Sequence, residues 1–192
     1  MCSSDLSLYG YDAAGRLRDL TDPMGRVQRS LYDALGRRTT SIANYTGGAA
    51  GSVTDVTTRT SYDGNGNVRR IEALQPAGTP SQVHEYLYEA RTATGSAINS
   101  NDWLTGLRYP DPSTGAASAS QEDRYTLNAL GDRLSASDRN GTVHSYGYDV
   151  LGRRISDAVT TLGTGVDGAV RRIEVAYDGA GMAALKIGRA HV

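Results

Sequence analysis

The chain has no phenylalanine, one cysteine and one tryptophan in 192 residues. A single Cys excludes an internal disulfide framework and a thiolate metal cluster. No apolar run is long enough to cross a bilayer as a helix. The formal net charge is only −1 and no basic run occurs, so nothing points to nucleic acid. Leu, Ile and Val together make up about 18 % of the chain, under the roughly 20 % at which a sequence reads as disordered. The low charge and the twelve tyrosines argue against disorder. Tyr buries a large ring while its hydroxyl reaches water, which suits a sheet wetted on both sides or lining a wet cavity.

What the chain has in quantity is a phrase: Tyr-Asp, two residues, Gly, then usually Arg. Full copies are Tyr11-Asp12-Ala13-Ala14-Gly15-Arg16, Tyr32-Asp33-Ala34-Leu35-Gly36-Arg37 and Tyr148-Asp149-Val150-Leu151-Gly152-Arg153. Shorter copies carry Tyr62, Asp63 and Gly66, and Tyr177, Asp178 and Gly181. Copies without Tyr carry Asp22 and Gly25, and Asp138 and Gly141; Asn128 and Gly131 form a variant. Asp12, Asp22 and Asp33 repeat the spacing of Asn128, Asp138 and Asp149, ten positions and then eleven. A fixed period of this kind decides architecture before any local argument.

Each Asp-x-x-Gly has a physical reading. Asp favours the first position of a type I turn, where its carboxylate bonds backbone N–H groups two residues on. Gly at the fourth position takes positive φ and suits a bulge. The six or seven residues left between turns make a strand of roughly 20 Å. Alternation supports this in Val56, Thr58, Thr60 and Tyr62 and in Ile173, Val175 and Tyr177. The expected fold is all-β: an antiparallel hairpin meander. The repeat region is expected over 7–185, with an irregular insertion about 89–122.

Both ends look foreign to the repeat. Met1–Leu6 and Lys186–Val192 can be back-translated from one oligonucleotide read on opposite strands, and that oligonucleotide resembles a sequencing adapter. Residues 1–6 and 186–192 are therefore expected to be non-native scars, which removes Cys2 and His191 as candidates.

The phrase Tyr-x-Tyr-Asp-x-x-Gly-Arg, carried by Tyr9–Leu17 and Tyr146–Arg154 with the turns at Asp22 and Asp138, resembles the YD repeats of the Rhs and teneurin-like proteins. The resemblance implies a hairpin spiral winding into a large hollow shell, of which this chain would be an open segment. In polymorphic toxins such a shell encloses a variable C-terminal toxin domain; in teneurins and wall-associated relatives it sits on the cell surface. Neighbouring repeats of the full-length chain and an enclosed toxin domain are the partners so implied, with a secreted or cell-surface location. Two departures stand out: Leu127-Asn128 replaces Tyr-Asp, and Asp132 separates Gly131 from Arg133. No toxin domain, and no Pro- and Asp-rich region that would close a shell, is legible.

Candidate chemistry is sparse. Asp63-Gly64-Asn65-Gly66-Asn67 resembles the start of a calcium loop, but Val68 and Leu74 stand where that loop needs Gly and Glu, and a hairpin turn fits better. Repetition argues against a catalytic Asp, because an active site is needed once and a turn residue every time. The repeated Arg16, Arg37 and Arg153 read as partners of nearby carboxylates. His84 and His144 lie in no metal or triad spacing. The expectation is a non-enzymatic structural segment without cofactor or metal. The alternatives are a carbohydrate-binding surface array, with Trp103 and exposed Tyr stacking on glycans, and a hydrolase in Tyr88–Gln121 that would need His84, His144 and a carboxylate in one cluster.

Overall fold

The computed structural model describes residues 6–179, 181 and 183–188. Among these described residues, fourteen strands follow one another in sequence order, each hydrogen-bonded to its neighbours in the chain. They are β1 (Leu8–Tyr11), β2 (Leu17–Thr21), β3 (Val27–Tyr32), β4 (Arg38–Ala43), β5 (Val56–Tyr62), β6 (Val68–Ala73), β7 (Gln82–Leu87), β8 (Gly106–Pro110), β9 (Ala117–Leu127), β10 (Arg133–Ser137), β11 (Val143–Tyr148), β12 (Arg154–Thr161), β13 (Arg172–Tyr177) and β14 (Ala183–Gly188). Pairing is antiparallel from β1 through β7 and from β9 through β14. The only helical element among the described residues is a single 3₁₀ turn, Thr92–Thr94. The all-β meander expected from the turn spacing is the observed fold.

The chain divides into two compact units, Met1–Glu85 with Tyr109–Ser118, and Tyr86–Arg108 with Ala119–Val192. In the first, β1 to β6 form a regular meander, and the segment 109–118 returns to β7 through the Val83 N–H, which donates to the Gly115 carbonyl at 2.9 Å. In the second, β9 to β14 repeat the pattern. The stretch 89–122 holds the 3₁₀ turn, β8 and the start of β9. The suspected scars fall mostly outside the described residues; of them Leu6 is exposed, and Lys186, Ile187 and Gly188 lie in β14, paired with Glu174, Ile173 and Arg172.

Little is fully buried. Among the described residues the buried apolar side chains are Val83, Ala90 and Leu127. Most strand residues are half-buried on both faces, as expected when water touches both sides of a sheet. A sheet of this kind gains little from a hydrophobic core, so the backbone ladder and the turns carry a larger share of what fixes its register.

The loop between β4 and β5 is organised by Asp55. Its carboxylate is buried and accepts the Thr46 N–H at 2.8 Å, the Gly47 N–H at 3.1 Å and the Thr46 hydroxyl. Asn44 and Asp55, at the two ends of the loop, both have positive φ, 51° and 52°. Asn and Asp are the non-glycine residues that tolerate this region best. The sequence shows no repeat here, and Asp55 was not among the residues it singled out.

Candidate functional site

The site is the repeated turn, and its geometry starts with one carboxylate. In the first copy, Asp12 Oδ1 accepts the N–H groups of Ala14 and Arg16, both at 2.9 Å, and Asp12 Oδ2 accepts Arg16 Nε at 2.8 Å. The Gly15 N–H donates to the Asp12 carbonyl at 3.0 Å, and the Asp12 N–H donates to the Arg16 carbonyl at 2.9 Å. The same set recurs at Asp22 with Arg26, Asp33 with Arg37 and Asp149 with Arg153. One Asp thus satisfies donors that a tight turn would otherwise leave open. The turn Gly residues have φ between 76° and 91°, and the ladder slips by one residue next to Tyr11, Tyr32, Tyr62 and Tyr148. This is a type I turn closed by a glycine bulge.

Electrostatics follow the hydrogen bonds. Asp12, Asp22, Asp33 and Asp149 are held below the ordinary carboxylate range, first by the backbone N–H of the Arg four residues on and further by its guanidinium. Held this low, these carboxylates stay charged, whereas a general acid or base works best with a value near the operating pH.

Variant copies keep the logic with different atoms. At Asp63, Asn67 stands in for Arg and its Nδ2 donates to Asp63 Oδ2 at 3.1 Å. At Asn128 the polarity is inverted: Asn128 Nδ2 donates to Asp132 Oδ2 at 3.0 Å, while Asn128 Oδ1 still accepts the N–H groups of Leu130 and Asp132. Asp132 therefore fills the position of the turn Arg, and Arg133 lies over the Tyr125 ring at 3.8 Å. At Asp138 the carboxylate accepts the N–H groups of Asn140 and Thr142. At Asp178 the Gly181 N–H closes the turn at 3.0 Å.

Beyond its own turn, the repeated Arg reaches the next copy. Arg16 lies over the Tyr32 ring at 4.9 Å, Arg37 over Tyr62 at 4.4 Å and Arg153 over Tyr177 at 4.1 Å. These three Tyr, and Tyr148 with them, turn their hydroxyls onto the first carbonyl of the preceding strand. Tyr32 donates to Leu17 O at 2.6 Å, Tyr62 to Arg38 O at 2.9 Å, Tyr148 to Arg133 O at 2.7 Å and Tyr177 to Arg154 O at 3.2 Å. The result is a relay, Asp to Arg to the following Tyr-Asp, running Asp12, Arg16, Tyr32, Asp33, Arg37, Tyr62 in the first unit and Asp149, Arg153, Tyr177 in the second. A cation over an exposed aromatic ring contributes about 0.5–1 kcal/mol and a net hydrogen bond about 0.5–1.5 kcal/mol, so the relay acts through repetition. The sequence singled out every residue of these turns, but assigned the Arg only to nearby carboxylates.

His84, His144 and Trp103 have local partners. His84 packs edge-on against Tyr109, with ring centroids 5.7 Å apart. His144 Nδ1 meets Asp157 Oδ1 at 2.6 Å, and the imidazole stacks on Tyr146. Trp103 lies over the Asn128 turn, so close that a Cβ on Gly131 would sit 3.3 Å from the indole. It borders an open groove of about 500 Å³ with Tyr88, Asp102, Leu104 and Arg133. Among the described residues, no group of three or more His, Cys, Asp or Glu side chains could hold a metal ion, and no helix is long and apolar enough to cross a membrane.

Solved structures similar to the chain include the crystal structure of TcdB2-TccC3-Cdc42, 13 % identical over 94 % of this chain and 10 % of that one, with a TM-score of 0.47. Another is the crystal structure of TcdB2-TccC3, 14 % identical over 92 % of this chain and 10 % of that one, TM-score 0.44. A third is the Tc holotoxin pore of Photorhabdus luminescens with a TccC3 mutation, 13 % identical over 92 % and 11 %, TM-score 0.39. The chain spans about a tenth of the length of each. No curated protein matches it. The family model of the RHS repeat matches residues 11–50, the stretch that carries the first three turns and the first link of the relay.

Proposed function

We propose that this chain is a non-enzymatic structural segment of an Rhs-type shell, in an exported protein whose shell encloses or presents a C-terminal toxin domain. The observation that carries this reading is the relay. The residues that recur are consumed in holding one hairpin to the next, and their carboxylates and guanidinia are not free to act on a substrate. A segment built this way works mechanically: each hairpin adds its strand to the last and leaves a new edge for the next. The RHS repeat over residues 11–50 agrees with this.

The test uses the longer protein in which the repeat region, taken as 7–185, is embedded. The domain that follows the repeats should resist protease in the native protein. Cutting the relay in both units, with Asp33→Ala, Arg37→Ala, Asp149→Ala and Arg153→Ala together, should open it to cleavage at least tenfold faster. Equal protease sensitivity before and after would contradict the enclosure. Glycan binding by the purified chain that disappears with Trp103→Ala would favour the carbohydrate-binding alternative instead.

A further inference from the structure

Several strand arginines are matched by carboxylates. Arg29 stands directly opposite Asp19 across β2 and β3, and its Nε meets Asp19 Oδ1 at 2.6 Å. Arg108 meets Glu122 at 2.9 Å, and Arg172 meets Glu174 at 2.7 Å. Arg59 stands in the same relation to Glu72 across β5 and β6, yet that pair does not close. Glu72 Oε1 lies 3.7 Å from Arg70 Nη2 instead. Among the described residues, no hydrogen bond, ion pair or aromatic ring engages the Arg59 guanidinium.

Register places this arginine in a groove. Thr40 is opposite Arg59, Arg59 is opposite Glu72, and Ser61 is opposite Arg70. Opposed residues, and those two positions along a strand, share one face of a sheet. These five line a hollow of about 320 Å³ over β4, β5 and β6, within the first unit and with β3 and β7 on either side. None of the five belongs to an Asp-x-x-Gly turn, so the repeat does not account for them.

The lining defines what fits. Two guanidinia and one carboxylate leave one net positive charge, which suits a singly charged anion. The Arg70–Glu72 contact of 3.7 Å is longer than a charge-assisted hydrogen bond of about 2.7–2.9 Å, so Arg70 keeps N–H donors to offer. A guanidinium takes a carboxylate in a two-pronged fork. The hydroxyls of Thr40 and Ser61 and the Glu72 carboxylate are hydrogen-bonding groups that the methylenes of an acidic side chain would leave unmet. A ligand that carries hydroxyls beside its carboxylate uses them. The hollow is at the small end of ligand pockets, which span about 300–1,000 Å³.

We propose that this groove is a binding site for a small hydroxylated monocarboxylate of the sugar-acid class. Arg59 forks the carboxylate, Arg70 supports it, and Glu72 with the Thr40 and Ser61 hydroxyls holds the ligand's hydroxyls. The site adds a binding activity to the segment and does not depend on whether a toxin domain is enclosed.

The experiment titrates the purified chain with glucuronate, glucose, inorganic phosphate and a blocked Gly-Glu-Gly peptide, and follows backbone and arginine Nε signals by NMR. Glucuronate should shift Thr40, Arg59, Ser61 and Arg70 along a saturable curve. It should bind at least about tenfold more tightly than glucose, which has a CH₂OH group in place of the carboxylate. Arg59→Gln should weaken glucuronate about tenfold, and Arg59→Lys, which keeps the charge and loses the fork, should weaken it too. Arg38→Gln, exposed on β4 outside the groove, should leave binding within about twofold. Unmoved signals elsewhere in the sheet show that each variant is folded. Glucose binding as tightly as glucuronate, or glucuronate binding untouched by both Arg59 changes, would overturn the proposal. So would tighter binding of phosphate, which would make the groove a reader of charge alone, or of the peptide, which would assign it to an acidic protein segment. A titration with no saturable shift would overturn it as well, and none of these results bears on the repeat-segment reading.

Discussion

Gly115→Ala should cost the first unit more than about 3 kcal/mol, in the range reserved for a named structural fault. Gly115 has φ +68°, and a Cβ built on it would lie 2.1 Å from the Ser81 carbonyl oxygen and 3.1 Å from the Gln82 side-chain amide. The obstacle is backbone, and it cannot swing away. The residue is pinned on both sides, because its N–H donates to Asp111 O at 2.8 Å and its carbonyl accepts the Val83 N–H at 2.9 Å. Gly36→Ala is the control in the same unit. It too has positive φ, +80°, but its Cβ would meet nothing within 4 Å. Only the left-handed backbone term applies there, about 1–2 kcal/mol. Urea melts of the two variants should separate clearly; a Gly115→Ala chain no weaker than Gly36→Ala would contradict the close approach of 115 to 81.

Asp55→Ala should open the loop between β4 and β5, and Asp55→Asn should spare it. Asn keeps a carbonyl oxygen for the Thr46 and Gly47 N–H groups, can donate to the Thr46 hydroxyl, and tolerates the positive φ of 52°. Ala loses every one of these contacts and adds strain at that φ. The amides of Thr46 and Gly47 should exchange about tenfold faster or more in Asp55→Ala. The Asp55 carboxyl is held below its ordinary value, first by the Thr46 hydroxyl, then by backbone N–H groups. A lowered folded-state value means that its stabilisation is complete above the unfolded value and is lost as pH falls through the folded one. Native Asp55 should therefore release the loop only in acid, and Asp55→Asn should remove that part of the acid response. An Asn variant as damaged as Ala would contradict this account.

The turns were legible in the sequence because their chemistry is local. The Asp33 carboxylate bonds residues no further than Arg37, so spacing alone carries the information, and strands follow by subtraction. The contacts that join copies were not legible. Tyr62 meets Arg38 O across 24 residues and Tyr32 meets Leu17 O across 15, because the loop between β4 and β5 stretches one interval and not the other. Only the sheet register brings these atoms together. The Asn128 copy shows the same limit: Asp132 looked like an insertion ahead of Arg133, yet it closes its turn with the charge reversed. Asp55 left no trace, since its partners are backbone N–H groups of a loop outside the period. Trp103 over Gly131 joins an irregular segment to a regular turn, and no periodicity points to it.

The most direct measurement is a double-mutant cycle on Arg37→Ala and Tyr62→Leu, read by urea unfolding. If the Arg of one turn holds the Tyr of the next, the two changes should couple by about 0.5–1 kcal/mol. Additive effects, with Arg37 acting only on Asp33 inside its own turn, would show that consecutive hairpins are not linked this way and would remove the relay on which the structural reading depends.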